Sequence, residues 1–179
     1  MNKNKQLRIA ALFLMPHFVG FVTFLLLPVL GTFVISLFEW NLITSPKFVG
    51  IKNYITMLTD DMFFSKAMFN TLYYTLGSVL LIVAFSLLTA LLLNQGIQFK
   101  SLFRTLYFVP NVSSLVAVSL VWAWIYNSDY GLINNILRAI GVENPPRWLA
   151  DTDWSTLSVI IMSSWTQIGF FTVIFLAGF

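Results

Sequence analysis

The chain has 179 residues, of which 58% are hydrophobic and only 9% are charged. A soluble globular domain has about 25% charged residues, so this composition excludes an ordinary soluble protein. The net charge of +3 is too small to indicate a nucleic-acid-binding protein, and the absence of cysteine excludes disulfides and thiolate chemistry.

Four long stretches contain no charged residue and predict membrane-spanning helices. They are 9–38, 67–99, 105–128 and 154–179, each at least 24 residues long. A helix needs about 20 apolar residues to cross the hydrocarbon, and each charge at its centre costs about 2.5–3.5 kcal/mol. We therefore expect an all-α, polytopic membrane protein with short helices on its outer surface. It forms a single transmembrane domain over 1–179, with spans at about 9–38, 69–94, 105–127 and 154–179.

Proline and small residues inside these stretches indicate that the spans pack as a bundle. Pro16 and Pro28 interrupt the first span, and Pro110 lies near the start of the third. Proline is tolerated in a membrane when neighbouring helices satisfy the freed carbonyls. Gly77 and Ala84, seven residues apart in the second span, predict a close contact between helices.

The segment 131–141 predicts a short amphipathic helix on the outer surface of the bundle. Its apolar residues fall on one helical face, its polar residues, including Asn134, fall on the other, and Gly141 is a favourable stop. Trp148 and Trp154 follow before the fourth span, where we expect them at the membrane interface.

Polar side chains of the fourth span share one helical face. At 100° of helical rotation per residue, this face contains Thr156, Ser163, Gln167 and Phe170, and Thr166 lies at its edge. Trp165 points to the opposite side. Two interpretations stay open: hydrogen bonds between helices, worth about 0.6 kcal/mol on average, or contacts along a water-filled path for a substrate.

Lysine and arginine are unequally distributed between the connecting segments. Segments 1–8 and 94–104 hold five basic residues and no acid, whereas 39–66 and 129–153 hold five basic residues and all seven acids. Because cytoplasmic loops carry an excess of Lys and Arg, the first pair of segments is predicted to be cytoplasmic. The amino terminus is then cytoplasmic.

No motif of a catalytic or cofactor-binding site occurs in the sequence. The patterns GxxxxGK[ST], GxSxG and HExxH and paired Cys/His sets are absent. The acid pairs Asp60–Asp61 and Asp151/Asp153 are interpreted as loop charges or helix caps. We expect no catalytic residue, metal or cofactor, no enzyme activity and no nucleic-acid partner.

Five segments carry a resemblance to a known family. They are FVGIKNY at 48–54, FFSKAMFNT at 63–71, FRTLYFVPNVSSLVAVSLVWAWIYNSDYGLINNIL at 103–137, RWLADTDW at 147–154 and SWTQIGFFTVIFLAGF at 164–179. In this order they resemble the inner-membrane permease subunits of binding-protein-dependent ABC sugar importers, the family of the maltose, multiple-sugar and glycerol-phosphate permeases. The resemblance runs from about residue 10 to the end.

The resemblance implies a function and a set of partners. The function is sugar import across a prokaryotic plasma membrane, within a six-span fold of which four spans are present. The partners are a second permease subunit, cytoplasmic ATPase subunits, an extracytoplasmic solute-binding protein, the sugar and the lipid bilayer. In the maltose permease, the helix matching 154–179 contributes to the sugar site. The substrate-binding residues implied are Ser163, Thr166, Gln167 and Phe170.

The sequence departs from the family pattern at its end. In the family, the segment ending in LAGF precedes a cytoplasmic loop with the EAA motif, which docks onto the ATPase, and two further spans. This sequence ends at Phe179, so we expect the amino-terminal portion of a permease. The alternative is a truncated, non-transporting membrane or assembly subunit that lacks the ATPase-coupling loop. A secondary transporter is disfavoured because the spans hold no acid to carry a proton or sodium ion.

Overall fold

A computed structural model describes residues 3–95 and 98–179. The extreme amino terminus and part of the predicted inner segment 94–104 lie outside the described residues. Helices dominate the described chain, which forms two compact units, one up to Ser65 and one from Lys66 to Phe179. In chain order the elements are α1 (Lys3–Phe21), a π-helical turn (Val22–Leu26), α2 (Leu27–Ile35), β1 (Phe38–Glu39), β2 (Lys47–Phe48), α3 (Lys52–Thr59), α4 (Met62–Asn94), α5 (Lys100–Val112), α6 (Leu115–Ile125), α7 (Leu132–Ala139) and α8 (Thr152–Gly178).

The first unit contains one long apolar helical span, Ile9–Ile35. The helix continues through Pro16 and Pro28, although the sequence predicted an interruption at each proline. A π-helical turn precedes Pro28, where the Leu27 N–H donates to the carbonyl of Val22. Since proline has no N–H to donate, the wider turn accommodates it without ending the helix.

Residues of the FVGIKNY segment, 48–54, contact the residues that directly follow this span. The β1–β2 hairpin pairs Phe38 with Phe48, whose rings lie 5.3 Å apart. Asn53 in α3 donates from Nδ2 to the carbonyls of Ser36 and Phe38, at 2.9 and 3.0 Å. The hydroxyl of Tyr54 lies 2.6 Å from that of Ser36. The segment therefore has a structural role within the first unit.

In the second unit, α8 packs mainly against α5 and also contacts α4 at a few positions. Buried residues recur along one side of α4 and are Ser78, Ile82, Ser86, Ala90 and Leu93. Ser86 donates to the carbonyl of Ile168 at 3.0 Å. A Cβ at Gly77 would lie 2.9 Å from Cδ1 of Ile160, which confirms a close contact there. Ala84 is exposed, so its assignment to the same contact was wrong.

The third predicted span, 105–127, is not one continuous helix. It consists of α5 and α6, bent by 98° at a break. Ser113 and Ser114 are extended at the break, and both the N–H and the hydroxyl of Ser113 bond to the carbonyl of Val109, at 3.1 and 2.7 Å. Such local bonds compete with helix continuation. The described residues therefore contain three helices able to cross a membrane, or four spans if the bent pair is one.

The helix α5 rests directly on α8 at a glycine. A Cβ at Gly169 would overlap the carbonyl oxygen of Tyr107, so the two backbones approach more closely than any side chain allows.

The start of α8 is fixed by Asp151, whose carboxylate accepts from the N–H of Asp153 at 3.1 Å. Asp61 accepts in the same way from two backbone N–H groups at the start of α4. The interpretation of these acids as helix caps is confirmed.

The helix α7 forms where the sequence predicted it, but Asn134 of its polar face is buried, while Asn135 and Arg138 are exposed. Asn134 is only 1% exposed. It donates to the carbonyls of Ser128 and Pro146, both at 3.0 Å, and accepts from Trp148 Nε1 at 2.6 Å. The apolar residue Ile136 is more than half exposed instead. Trp148, expected at the membrane interface, is 9% exposed and belongs to this buried cluster.

Candidate functional site: the polar face of α8

The four predicted site residues lie on one face of α8. Ser163 and Thr166 are half-buried, while Gln167 and Phe170 are exposed, Phe170 by 44%. The side of α8 that packs within the chain carries Ser164, Gly169 and Thr172 and lies roughly opposite. The predicted residues therefore share a face that the rest of the described chain leaves accessible.

The polar groups of this face differ in what they can offer a ligand. The hydroxyl of Thr166 donates to the carbonyl of Ser163 at 2.7 Å, and Ser163 donates to the carbonyl of Ile160 at 3.2 Å. Both donors are thus used within the helix, which leaves the oxygens as acceptors. Gln167 offers an accessible amide with donor and acceptor groups, and Phe170 offers an aromatic surface beside it.

An open cleft of about 340 Å³ lies where the same face continues toward the start of α8. It is lined by residues of α4 and α8, which are Asn70, Thr71, Tyr74, Ser155, Thr156 and Val159. Thr156 was predicted on this face from periodicity, whereas Asn70, Thr71 and Tyr74 were missed. Asn70 and Tyr74 are four residues apart in α4 and so share a helical face, but the sequence does not indicate that this face lies beside α8.

Trp165 occupies the other side of α8. Its ring contacts that of Trp122 edge-on, with centroids 5.7 Å apart. Successive ring contacts of 5.0 to 5.5 Å continue from Trp122 through Tyr126 and Trp148 to Trp154. The hydroxyl of Tyr126 also donates to the carbonyl of Ser158 at 3.1 Å. This aromatic ladder holds α6 and the segment after it against α8.

The chemistry of the α8 face suits a neutral, hydroxyl-rich ligand. Amide and hydroxyl groups exchange hydrogen bonds with hydroxyls, and an aromatic ring packs on the apolar side of a ring-shaped molecule. The face contains no ionisable side chain. In the part of the chain that the structure describes, no group of three or more His, Cys, Asp or Glu residues could hold a metal ion.

Comparison with known proteins identifies relatives over almost the whole chain. It is 34% identical to the probable ABC transporter permease protein YurN of Bacillus subtilis, over 99% of this chain and 61% of that protein. It is 32% identical to the lactose transport system permease protein LacF of Rhizobium radiobacter, over 93% and 56%. It is 30% identical to the trehalose/maltose transport system permease protein MalF of Thermococcus litoralis, over 98% and 59%. No family profile matches the chain.

Solved structures share the fold. The crystal structure of a bacterial ABC transporter that imports the polysaccharide alginate superposes with a TM-score of 0.77 at 23% identity, over 97% of this chain and 58% of that one. The same transporter type in complex with an alginate pentasaccharide-bound periplasmic protein gives a TM-score of 0.75 at 24% identity. The chain spans about three fifths of the length of the curated relatives it matches. Over nearly all of its residues, the chain is similar in sequence to permease proteins of ABC transporters, including sugar transporters, and it shares the fold of the matching part of an alginate importer.

Proposed function

We propose that this chain is part of a permease subunit that imports a sugar, and that the polar face of α8 lines the sugar path. The observation that carries the proposal is the accessible, uncharged face with Gln167 and Phe170 on a helix long enough to cross a membrane. Relatives that transport lactose and trehalose or maltose support a carbohydrate substrate. The role of Gln167 is to satisfy sugar hydroxyls, and that of Phe170 is to pack against the ring.

The break between α5 and α6 also needs polar surroundings, although these helices contact α8 at Gly169 and Trp165, on the side opposite Gln167. Irregular backbone within a membrane is tolerated where it is buried in protein or lines a water-filled cavity. Transporters use such discontinuous helices, whose free helix ends contact substrates and ions. Ser113 and Ser114 are exposed at the break, and the helix α6 begins there without a side-chain cap. Water or a neighbouring subunit would satisfy these free backbone groups, and the break does not itself locate the sugar path.

The subunit performs no covalent chemistry in this proposal. Two cytoplasmic ATPase subunits supply the energy, and a second permease subunit supplies the opposite wall of the path. A solute-binding protein delivers the sugar from outside, as the alginate transporter's complex with its periplasmic protein suggests. ATP-driven movement of the ATPases switches the bundle between inward-facing and outward-facing states.

Protection from alkylation tests the proposed contact directly. The chain contains no cysteine, so Gln167→Cys creates a single reactive site once the other subunits are cysteine-free. In the assembled transporter, we expect a transported sugar, chosen from a panel of maltose, trehalose and lactose, to slow alkylation at 167. Trp165→Cys, on the opposite face, is the matched control and should react at the same rate with and without sugar. Equal rates at 167 with every transported sugar would refute the contact.

A further inference from the structure

The open cleft of about 340 Å³ between α4 and α8 has a polar lining. Five of its six lining residues carry a hydroxyl or an amide, and the sixth is Val159. Within the described part of the chain, no hydrogen bond uses the side chains of Asn70, Tyr74 or Thr156. The volume lies within the range of about 300–1,000 Å³ that small-molecule sites occupy. These polar groups are therefore available to a small ligand.

The cleft lies near the end at which both helices begin. Gly77 of α4 lies against Ile160 of α8, and Ser86 bonds to Ile168, so the contacts advance in the same direction along the two helices. The helices are therefore parallel. The segments that precede them are predicted to lie outside the membrane, because they hold the acidic residues. Under this orientation the cleft is at the outer end of the proposed sugar path.

The α8 wall of the cleft continues the face that carries Gln167. At 100° of helical rotation per residue, Ser155, Thr156 and Val159 fall within the same arc of about 120° as Gln167 and Phe170. Thr156 and Gln167 are about 16 Å apart along the helix axis, since each residue rises about 1.5 Å. One sugar ring does not span that distance, so the cleft and Gln167 are successive positions on one face.

Tyr74 gives the cleft an aromatic surface, because its side chain is 36% exposed. Asn70 lies one turn earlier on the same side of α4. An aromatic ring packs on the apolar side of a sugar ring, while amide and hydroxyl groups bind the sugar hydroxyls. Lys66, a further turn earlier, is not a lining residue, and the lining contains no basic or carboxylate side chain. The cleft therefore suits a neutral pyranose.

We propose that this cleft is a second sugar subsite, which a sugar occupies before it reaches Gln167. Tyr74 packs against the sugar ring, and Asn70 and Thr156 bind its hydroxyls. The subsite rests on the proposed function, in which the polar face of α8 lines a sugar path. The helix α4 then forms the facing wall of that path at its outer end. A sugar that leaves the subsite meets Ser163 and then Gln167 along the same face of α8.

Protection of a cysteine at position 159 tests the subsite. Val159→Cys places a thiol in the wall of the cleft without removing a polar group, in the assembled and otherwise cysteine-free transporter without its solute-binding protein. We expect the thiol to react with a water-soluble alkylating reagent, and a transported sugar from the panel of maltose, trehalose and lactose to slow that reaction. Leu72→Cys, exposed on the side of α4 opposite Asn70 and Tyr74, is the matched control and should react at a rate independent of sugar.

Two results at position 159 would overturn the subsite. One is a thiol that does not react in the assembled transporter, because a neighbouring subunit then fills the cleft. The other is a thiol that reacts equally fast with and without every transported sugar.

Variants of two lining residues, each combined with Val159→Cys, test the contacts with the sugar. Asn70→Leu should raise the half-protecting sugar concentration by about fivefold, the lower end of the effect of a lost hydrogen bond, because water can replace the amide in an open cleft. Tyr74→Leu removes the ring and should raise this concentration more than Tyr74→Phe, which keeps it. If Tyr74→Leu prevents assembly, the exposed Asn70 decides alone. An unchanged concentration in Asn70→Leu would contradict the subsite.

The contact at Gln167 can be tested separately from the subsite. Gln167→Leu should leave protection at 159 unchanged, because the two positions lie more than two helical turns apart on α8. Protection at 159 without protection at 167 would refute the Gln167 contact and support the subsite. Protection at 167 alone would refute the subsite and support the proposed sugar path.

Discussion

Individual residues show where this fold tolerates no substitution. Gly169 is the clearest case, because a methyl group there would meet the main chain of α5 rather than a movable side chain. Gly178, in the same helix, has open space around the position of a Cβ. Asn134 is a second case, since one amide satisfies two carbonyls and an indole N–H from three different places in the chain.

Gly169→Ala should separate α5 from α8. Overpacking of this kind costs about 1–3 kcal/mol when side chains can move, and the obstacle here is backbone. We expect the melting temperature of the purified protein to fall by several degrees, as followed by fluorescence-detected size exclusion after heating. Gly178→Ala should melt like the unaltered chain. If the two variants melt alike, the close approach of α5 and α8 is wrong.

Asn134→Ala should destabilise the outer segment around α7. The substitution leaves the indole of Trp148 and the carbonyls of Ser128 and Pro146 without this partner, and a buried group left unpaired costs about 1–3 kcal/mol. Limited trypsin digestion should then cleave at Arg138 or Arg147 faster than in the unaltered chain. Asn135→Ala removes an exposed neighbour with one bond to Tyr130 and should leave the cleavage rate unchanged. Equal rates in the two variants would contradict the buried role of Asn134.

Secondary-structure elements differ in how well the sequence predicts them. The long charge-free stretches predict α8 and the end of α4 closely, because lipid-embedded helices need both length and absence of charge. The helix α4 begins at Met62, before the predicted start at 69. The bend between α5 and α6 was missed, since a proline near the start of a span is compatible with a continuous helix, and the extended conformation of Ser113 depends on the surrounding fold. The inward position of Asn134 was missed for a similar reason: its partners at 128, 146 and 148 are not local in sequence.

The candidate site was likewise predicted from the sequence only in part. Helical periodicity alone placed Ser163, Gln167 and Phe170 on one face, and the structure has them there. Periodicity within α8 carries no information about which residues of α4 stand beside it. The cleft residues Asn70 and Tyr74 were therefore beyond that reasoning.

The distribution of Lys and Arg predicts the orientation of the whole molecule in the membrane. Single cysteines at Ser45, Gln98 and Asn144 in this cysteine-free chain should distinguish the two sides. Ser45 is an exposed hairpin residue, preferable to Asn53, which bonds to two carbonyls. In intact cells an impermeant thiol reagent should label 45 and 144 and spare 98 until the cells are permeabilised. Labelling of 98 from outside would reverse the proposed topology.

Sugar uptake by the complete transporter, normalised to the amount of assembled complex, tests the central claim most directly. Loss of a hydrogen bond that leaves a ligand hydroxyl unpaired costs about 1–3 kcal/mol, so Gln167→Leu should lower the apparent affinity by about five- to 150-fold without affecting assembly. Trp165→Phe weakens an aromatic contact with Trp122 worth about 0.5–1.5 kcal/mol. It should reduce the amount of assembled complex and leave uptake per complex unchanged. Normal uptake in Gln167→Leu, together with abolished uptake in fully assembled Trp165→Phe, would place the sugar path on the opposite face of α8.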